Sequence, residues 1–376
     1  MTDMVVVEQR QKNKGRIIMK RSRSVFNLKM LAAIFTMLLF AITSPAMANT
    51  LTIKFGTYDP PLELGLEKTN GEFASTNIKG QAFKDMVEKR SAGAITVKVF
   101  PSGQLGNDRE ALEMIKAGSM DMSGYPGGPI TNFSPEVLAL QIPYMFKDLN
   151  VARKVLNGPT GQELVELIAK RDGIRILAWG FEGPFYNFMS AKKPIRVPSD
   201  LKGQKIRTLE TPNLVEMVKI AGGTPTPISF SELYTSLQQG VVDGCITADP
   251  FVRMIKLDEV LKYINKADFF LGMSNIYVSE SFWKKISSEQ RYLIKDSALN
   301  AMVAFEGLTL WGGTVWVDYF KKKGVEVYVP NADEMKVWRD TMHNHMVTWT
   351  KNRIGAEWVD KFMKASQAAE KELYGN

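Results

Sequence analysis

Gln204-Lys205-Ile206-Arg207-Thr208, Thr224-Pro225-Thr226-Pro227-Ile228, Ser229-Phe230-Ser231-Glu232-Leu233-Tyr234 and Leu237-Gln238-Gln239-Gly240-Val241-Val242-Asp243-Gly244 follow one another in the middle of the chain. The first reads as a strand. Ser229 with Glu232 three residues on reads as a capping box that opens a helix, and Gly240 stops it. Asp243 then leads into an apolar, strand-like run that holds Cys245. Strand, helix and strand in alternation define an α/β protein.

The same exit occurs upstream. Asn107 and Glu110 form an N-cap pair for a helix that ends near Gly118, and Gly118-x-x-Asp121 again leads into a strand. This weak repeat fits two lobes of similar construction better than one large sheet. Leu51 to Phe55 alternates as a strand, Lys79 to Arg90 places Phe83, Met86 and Val87 at helical spacing, and Ile95, Val97 and Val99 mark another strand. Near the C-terminus Ser287 and Gln290 cap a helical pattern running to about Lys323, interrupted by Gly307 and the Gly312-Gly313 pair, a common kink site. A helix of roughly 50 Å exceeds the needs of one small domain, so it is expected to lie across both lobes. No low-complexity linker appears; several crossing segments are expected to join the lobes.

The N-terminus reads as an export signal. Lys20, Arg21, Arg23 and Lys29 precede an uncharged apolar run from Met30 to Ile42, and Ser44-Pro45-Ala46-Met47-Ala48 supplies a small-x-small cleavage pattern before Asn49. The run rises only about 20 Å as a helix, short of the roughly 30 Å hydrocarbon core, which favours a cleaved signal over a retained anchor. No adjacent arginine pair precedes it, favouring the general secretory route to the periplasm. No cysteine stands at the cleavage point, and translation is expected to begin at Met19. Residues 1–48 carry eight basic and two acidic residues, leaving 40 basic and 38 acidic, a formal charge of only +2. A general nucleic-acid-binding surface is therefore not indicated. Cys245 is the single cysteine, so no intramolecular disulfide forms, and its apolar surroundings read as packing.

Catalytic constellations are mostly missing. The two histidines, His343 and His345, are spaced i and i+2, which on a helix points them to different faces and rules out joint chelation of a metal. No nucleophile elbow, Walker loop or dinucleotide fingerprint appears. Catalysis by carboxylates alone has no recognisable spacing and stays open. No cofactor and no metal are expected.

Pro198-Ser199-Asp200-Leu201-Lys202-Gly203-Gln204-Lys205-Ile206-Arg207, the Pro225 to Gly244 region, Phe100-Pro101-Ser102-Gly103-Gln104-Leu105-Gly106 and Leu140-Gln141-Ile142-Pro143-Tyr144 together resemble the DctP-like solute receptors of TRAP (tripartite ATP-independent periplasmic) transporters. The resemblance runs over nearly the whole chain beyond the signal, with four matches in order. It implies a two-lobed periplasmic binding protein fold with a hinge. The expected boundaries are 49–183 with 272–311 for the first lobe and 184–271 with 312–376 for the second. It also implies capture of a small organic acid, delivery to a small and a large integral membrane subunit, uptake driven by an ion gradient, and no enzymatic activity. A monomer is expected. A sensing module for a membrane kinase or chemoreceptor, or a periplasmic enzyme acting on a carboxylate, would be alternative uses of such a chain.

Arg207 is implied as the carboxylate anchor. A guanidinium stays charged and offers a planar fork that matches a carboxylate; on composition alone a solvated arginine or a structural ion pair would serve equally. Phe230 falls where the family places an aromatic wall, although a core residue beside the helix cap reads the same way. Thr247 stands where the family has an asparagine that bonds the ligand, and a hydroxyl still donates one hydrogen bond. A second family arginine is replaced by Tyr186 or Asn187, depending on a one-residue shift in alignment. Phe185, Tyr58, Glu210 and Asn275 complete the candidate ligand-binding set. Trp179, Phe181, Phe185, Tyr186 and Phe188 crowd one short stretch, which reads as strand packing or as a site for a monocarboxylate with an apolar or aromatic body.

Overall fold

The computed structural model describes residues 50–59, 78–183 and 185–375; the expected export signal lies outside them. Strand alternation is realised at once. In β1 (Leu51–Thr57) Ile53 and Phe55 are buried while Lys54 between them is exposed. The further strands are β2 (Ile95–Phe100), β3 (Met122–Pro126), β4 (Ile174–Phe181), β5 (Tyr186–Ser190), β6 (Lys205–Thr208), β7 (Thr224–Pro227), β8 (Gly244–Ala248), β9 (Tyr263–Asn265), β10 (Met273–Ser279) and β11 (Glu326–Tyr328).

They form two mixed sheets, one in the order β2-β1-β3-β10-β4 and one in the order β11-β9-β5-β8-β6-β7. β1 runs parallel to β2 and β3, and β10 lies antiparallel between β3 and β4. In the second sheet β6 is parallel to β7 and β8, and β5 is antiparallel to β8 and β9. The chain crosses from the first sheet to the second after β4, returns before β10, and crosses again along the helix Ser288–Lys322 to reach β11. This is a two-lobed α/β fold with a long helix spanning both lobes.

The long helix begins with the expected box: Ser287 accepts from the Gln290 backbone at 3.2 Å and the Gln290 side chain accepts from Ser287 at 2.9 Å. Ile294, Ala298, Ala301, Met302 and Phe305 pack on Ile53, Phe55, Phe83 and Val87 under the first sheet, while Trp316 and Phe320 join the core that continues under the second. The helix is unbroken through Gly312-Gly313. A Cβ at Gly312 would lie 2.4 Å from the Trp316 ring, so the glycine makes room for that indole. The Asn107–Glu110 box is present and its helix, Asp108–Ala117, closes at Gly118. The Ser229 box is not formed. Ser229 precedes a 3-10 turn, Phe230–Glu232, without a side-chain cap bond, its Oγ lies 3.1 Å from Ser231 Oγ, and the helix Leu233–Gln238 follows the turn. Phe230 in that turn is drawn under the rings of Tyr58 and Phe251.

Candidate functional site

The two strand crossings between the sheets are fastened to each other. The Glu182 N–H donates to the Gly272 carbonyl at 3.0 Å and the Tyr186 N–H to the Phe270 carbonyl at 2.6 Å. Gly272 is required by its neighbour, since a Cβ there would stand 2.3 Å from Cε1 of Tyr186. Glu182 and Tyr186 are thus residues of the hinge, and both side chains are buried.

Arg207 lies on β6, beside Cys245 of β8 and Thr226 of β7. Only 1% of it is exposed. Its Nε donates to the Ile228 carbonyl at 2.8 Å, while Nη2 is buried and, among the described residues, has no hydrogen-bond partner. A buried donor left unmade is costly, and one on a guanidinium is a ready partner for a carboxylate. Burial pulls the Arg207 pKa down, and Cys245, Asp108 and Tyr186 act against it. Cys245 itself is pushed up to about 12 by burial, so at neutral pH it is a thiol and supplies no counter-charge.

Around Arg207 runs a buried polar chain. The Tyr186 hydroxyl donates to Glu182 Oε2, and the Tyr58 hydroxyl donates to Glu182 Oε1 at 3.3 Å. Burial raises Glu182 to about 7, opposed by Lys79 and by the Tyr186 bond. Asp108 rises to about 6 for the same reason, opposed chiefly by Arg207. Lys79 is fully buried, 3.6 Å from Asp59, donating to Ser274 Oγ at 2.6 Å and lying 4.8 Å over the Tyr58 ring. Despite that lysine, Asp59 is raised, because its own burial outweighs the attraction.

Beside this chain is a cavity of about 370 Å³ lined from both lobes, with Tyr58, Asp108 and Tyr125 on one side and Phe230, Tyr234 and Met254 on the other. Tyr58 meets Phe230 edge-on at 5.3 Å, so the two lobes touch through aromatic rings. The size falls within the range of small-molecule sites.

Several of the candidate residues from sequence come together here. Tyr58 and Phe230 line the cavity, and the Tyr186 hydroxyl lies within the electrostatic reach of Arg207. Thr247 is buried on β8, two residues along from Cys245. Glu210 is exposed and acts on both Arg207 and Asp108, while its backbone carbonyl accepts from Asn132 at 3.0 Å. Asn275 is buried on β10, donating to the Tyr277 hydroxyl at 2.9 Å and leaving its Oδ1 unpartnered. Two of the candidates are engaged elsewhere. The Asn187 amide is taken by Asp268, donating to Oδ1 at 3.0 Å and accepting its N–H at 2.8 Å. Phe185 lines a separate cavity of about 570 Å³ with Tyr144, Arg339 and His343. Of the two residues that alignment left open for the second arginine, Tyr186 is the one whose hydroxyl interacts electrostatically with Arg207.

Glu182, Asp108, Lys79 and Asp59 were not anticipated as site residues. Glu182 did leave a signal, as the one charged residue between Trp179 and Phe188. His343 and His345 are spent separately, on the Pro143 carbonyl at 2.6 Å and on Glu216 at 2.8 Å. Among the described residues no group of three or more metal-ligating side chains occurs, and no helix is long and apolar enough to cross a membrane.

Two lobes, a stapled hinge and an unpaired buried cation at the crevice define a receptor that closes on a solute. The family model for bacterial extracellular solute-binding proteins, family 7 (DctP), matches residues 71–352, and the chain belongs to that family, the periplasmic receptors of TRAP transporters. It is a binding protein rather than an enzyme. It is 30% identical over 334 residues to the C4-dicarboxylate-binding periplasmic protein DctP of Rhodobacter capsulatus, covering 86% of this chain and 93% of that one. It is 34% identical over 216 residues to a solute-binding protein of Verminephrobacter eiseniae, covering 57% of this chain and 64% of that one. Among solved structures, a TRAP periplasmic solute-binding protein from Polaromonas sp. JS666 bound to D-erythronate superimposes with a TM-score of 0.74 at 28% identity, covering 83% of this chain and 98% of that one.

Proposed function

We propose that this chain captures a small organic carboxylate between its lobes, holds it on Arg207, and presents it to a small and a large integral TRAP subunit for uptake driven by an ion gradient. The observation that carries the reading is the Arg207 guanidinium, buried at the lobe interface with Nη2 unpartnered. The lobe boundaries we assign are 49–183 with 272–311 and 184–271 with 312–376, except for the last helix, Glu357–Tyr374. That helix packs back on the first lobe, Ser366 donating to the Met145 carbonyl at 2.9 Å and Lys361 pairing with Glu163 at 2.7 Å. Phe230, Tyr58, Tyr186 and Thr247 surround the ligand, with Glu210 and Asn275 at its margins.

The aromatic lining of the cavity supports a monocarboxylate with an apolar or aromatic body. Similar receptors take monocarboxylates and dicarboxylates: the Polaromonas protein holds D-erythronate, and the Rhodobacter relative binds C4-dicarboxylates. Binding is a population shift. The open form exposes the crevice, and closure adds contacts that exist only in the closed state. Closing also lowers the local dielectric, which strengthens the ion pair with Arg207.

The test is to denature the purified, exported protein and identify what it releases by mass spectrometry. A stoichiometric, chemically unaltered small carboxylic acid is expected. Release of a neutral or cationic solute, or conversion of an added acid, would overturn the reading.

A further inference from the structure

The buried cluster at the lobe interface is short of positive charge. Among the described residues it contains two cations, Lys79 and Arg207, and three carboxyl groups, Asp59, Asp108 and Glu182. Lys79 is committed to Asp59 at 3.6 Å and to Ser274 at 2.6 Å. That leaves Arg207 as the cation open to a ligand, with the Asp108 carboxyl acting on it and Glu182 behind the Tyr186 hydroxyl. Glu182 is fixed on three sides. Its N–H is bonded to Gly272, and its two oxygens accept from Tyr58 and Tyr186. It is fully buried, so closing the lobes leaves it no water to screen its charge.

We propose that Glu182 is a specificity-determining residue, which makes the crevice accept a solute carrying one carboxylate and reject one carrying two. The inference rests on Arg207 as the anchor. One carboxylate takes the free Nη2 donor of Arg207. A second carboxylate on the same solute enters the cavity beside Asp108, with Glu182 one hydroxyl behind the Tyr58 that lines it, and no cation is left to receive it. A like charge there is either borne against Glu182 or relieved by protonating it, and one pH unit above its pKa that protonation costs about tenfold in affinity. Tyr186 supports this arrangement by donating its proton to Glu182 in a hydrogen bond, which fixes the carboxyl in place without neutralising it.

The test is calorimetric titration of the exported protein, at about pH 8 where Glu182 carries its charge, with matched pairs of linear acids: butanoate and succinate, pentanoate and glutarate, hexanoate and adipate. For at least one pair the monocarboxylate is expected to bind at least about tenfold more tightly. Glu182→Gln, which keeps both tyrosine partners and removes the charge, is expected to narrow that ratio by about tenfold, mainly by improving the dicarboxylate. Glu182→Asp keeps the charge and is expected to keep the preference, which separates a charge rule from a damaged hinge. A dicarboxylate that binds as well as its partner in every pair, a panel in which no monocarboxylate binds, or a Glu182→Gln ratio equal to wild type would overturn the proposal. Arg207→Ala in the same titrations distinguishes the two claims. If it weakens every acid while the ratios ignore Glu182, only the specificity rule fails; if it weakens none, the anchor itself fails.

Discussion

The Glu182 carboxyl retains its proton to about pH 7 in the folded protein, whereas the ordinary value is 4.5. Between those values the folded chain holds a proton that the unfolded chain has lost. Stability is therefore greatest below the unfolded pKa and declines as pH rises through the folded one, by up to about 1.4 kcal/mol per pH unit for this group. Asp108, raised from 3.8 to about 6, adds a term of the same sign over a lower window. Urea unfolding of ligand-free protein between pH 5 and 8 should show this decline, and Glu182→Gln should flatten its upper part. A wild-type protein that gains stability across that range would contradict the burial of these carboxyls. Arg207 was legible from sequence because it sits inside an ordered set of motifs that also fixes its strand. Glu182 was not, because its partners are Tyr58 and Tyr186, and the first of these is 124 positions away. No spacing rule brings them together.

Elements were legible where the signal is local. Asn107 with Glu110 and Ser287 with Gln290 satisfy backbone donors within one turn, so their boxes form as read. Ser229 with Glu232 carries the same pattern, but its first turn also seats Phe230 against the opposite lobe, and tertiary packing took precedence over the local cap. The glycine pair of the long helix carries a tertiary reason that sequence did not show, because the room at Gly312 is taken by Trp316. Where the crossing segments meet, Gly272 lies against the Tyr186 ring, and a Cβ at 2.3 Å forces that ring to move. Gly272→Ala is expected to cost about 1–3 kcal/mol of stability, the usual range for overpacking. Chemical denaturation checks this, and an unchanged midpoint would mean that Tyr186 is not held in the position described.

The two-lobed architecture could be read from alternating elements and a repeated helix exit, but the strand order could not. β10 enters the first sheet antiparallel between β3 and β4 after a long excursion through the second, and such long-range pairing leaves no periodic trace. That excursion makes the hinge, because it returns the chain at Gly272 beside Glu182. The described residues from Leu51 onward belong to one compact unit in which Asn132 reaches the Glu210 carbonyl and Tyr58 meets Phe230 across the crevice. In that arrangement Arg207 is sealed from water with a donor to spare, which is where the proposed carboxylate would bind. Removing one partner of a buried charged pair costs about 2–5 kcal/mol, on the order of 30- to 4,000-fold in affinity. The decisive measurement is the dissociation constant of the acid recovered from the purified protein, titrated into wild type and into Arg207→Ala. A loss within that range is the expected result, and an unchanged constant would contradict the account.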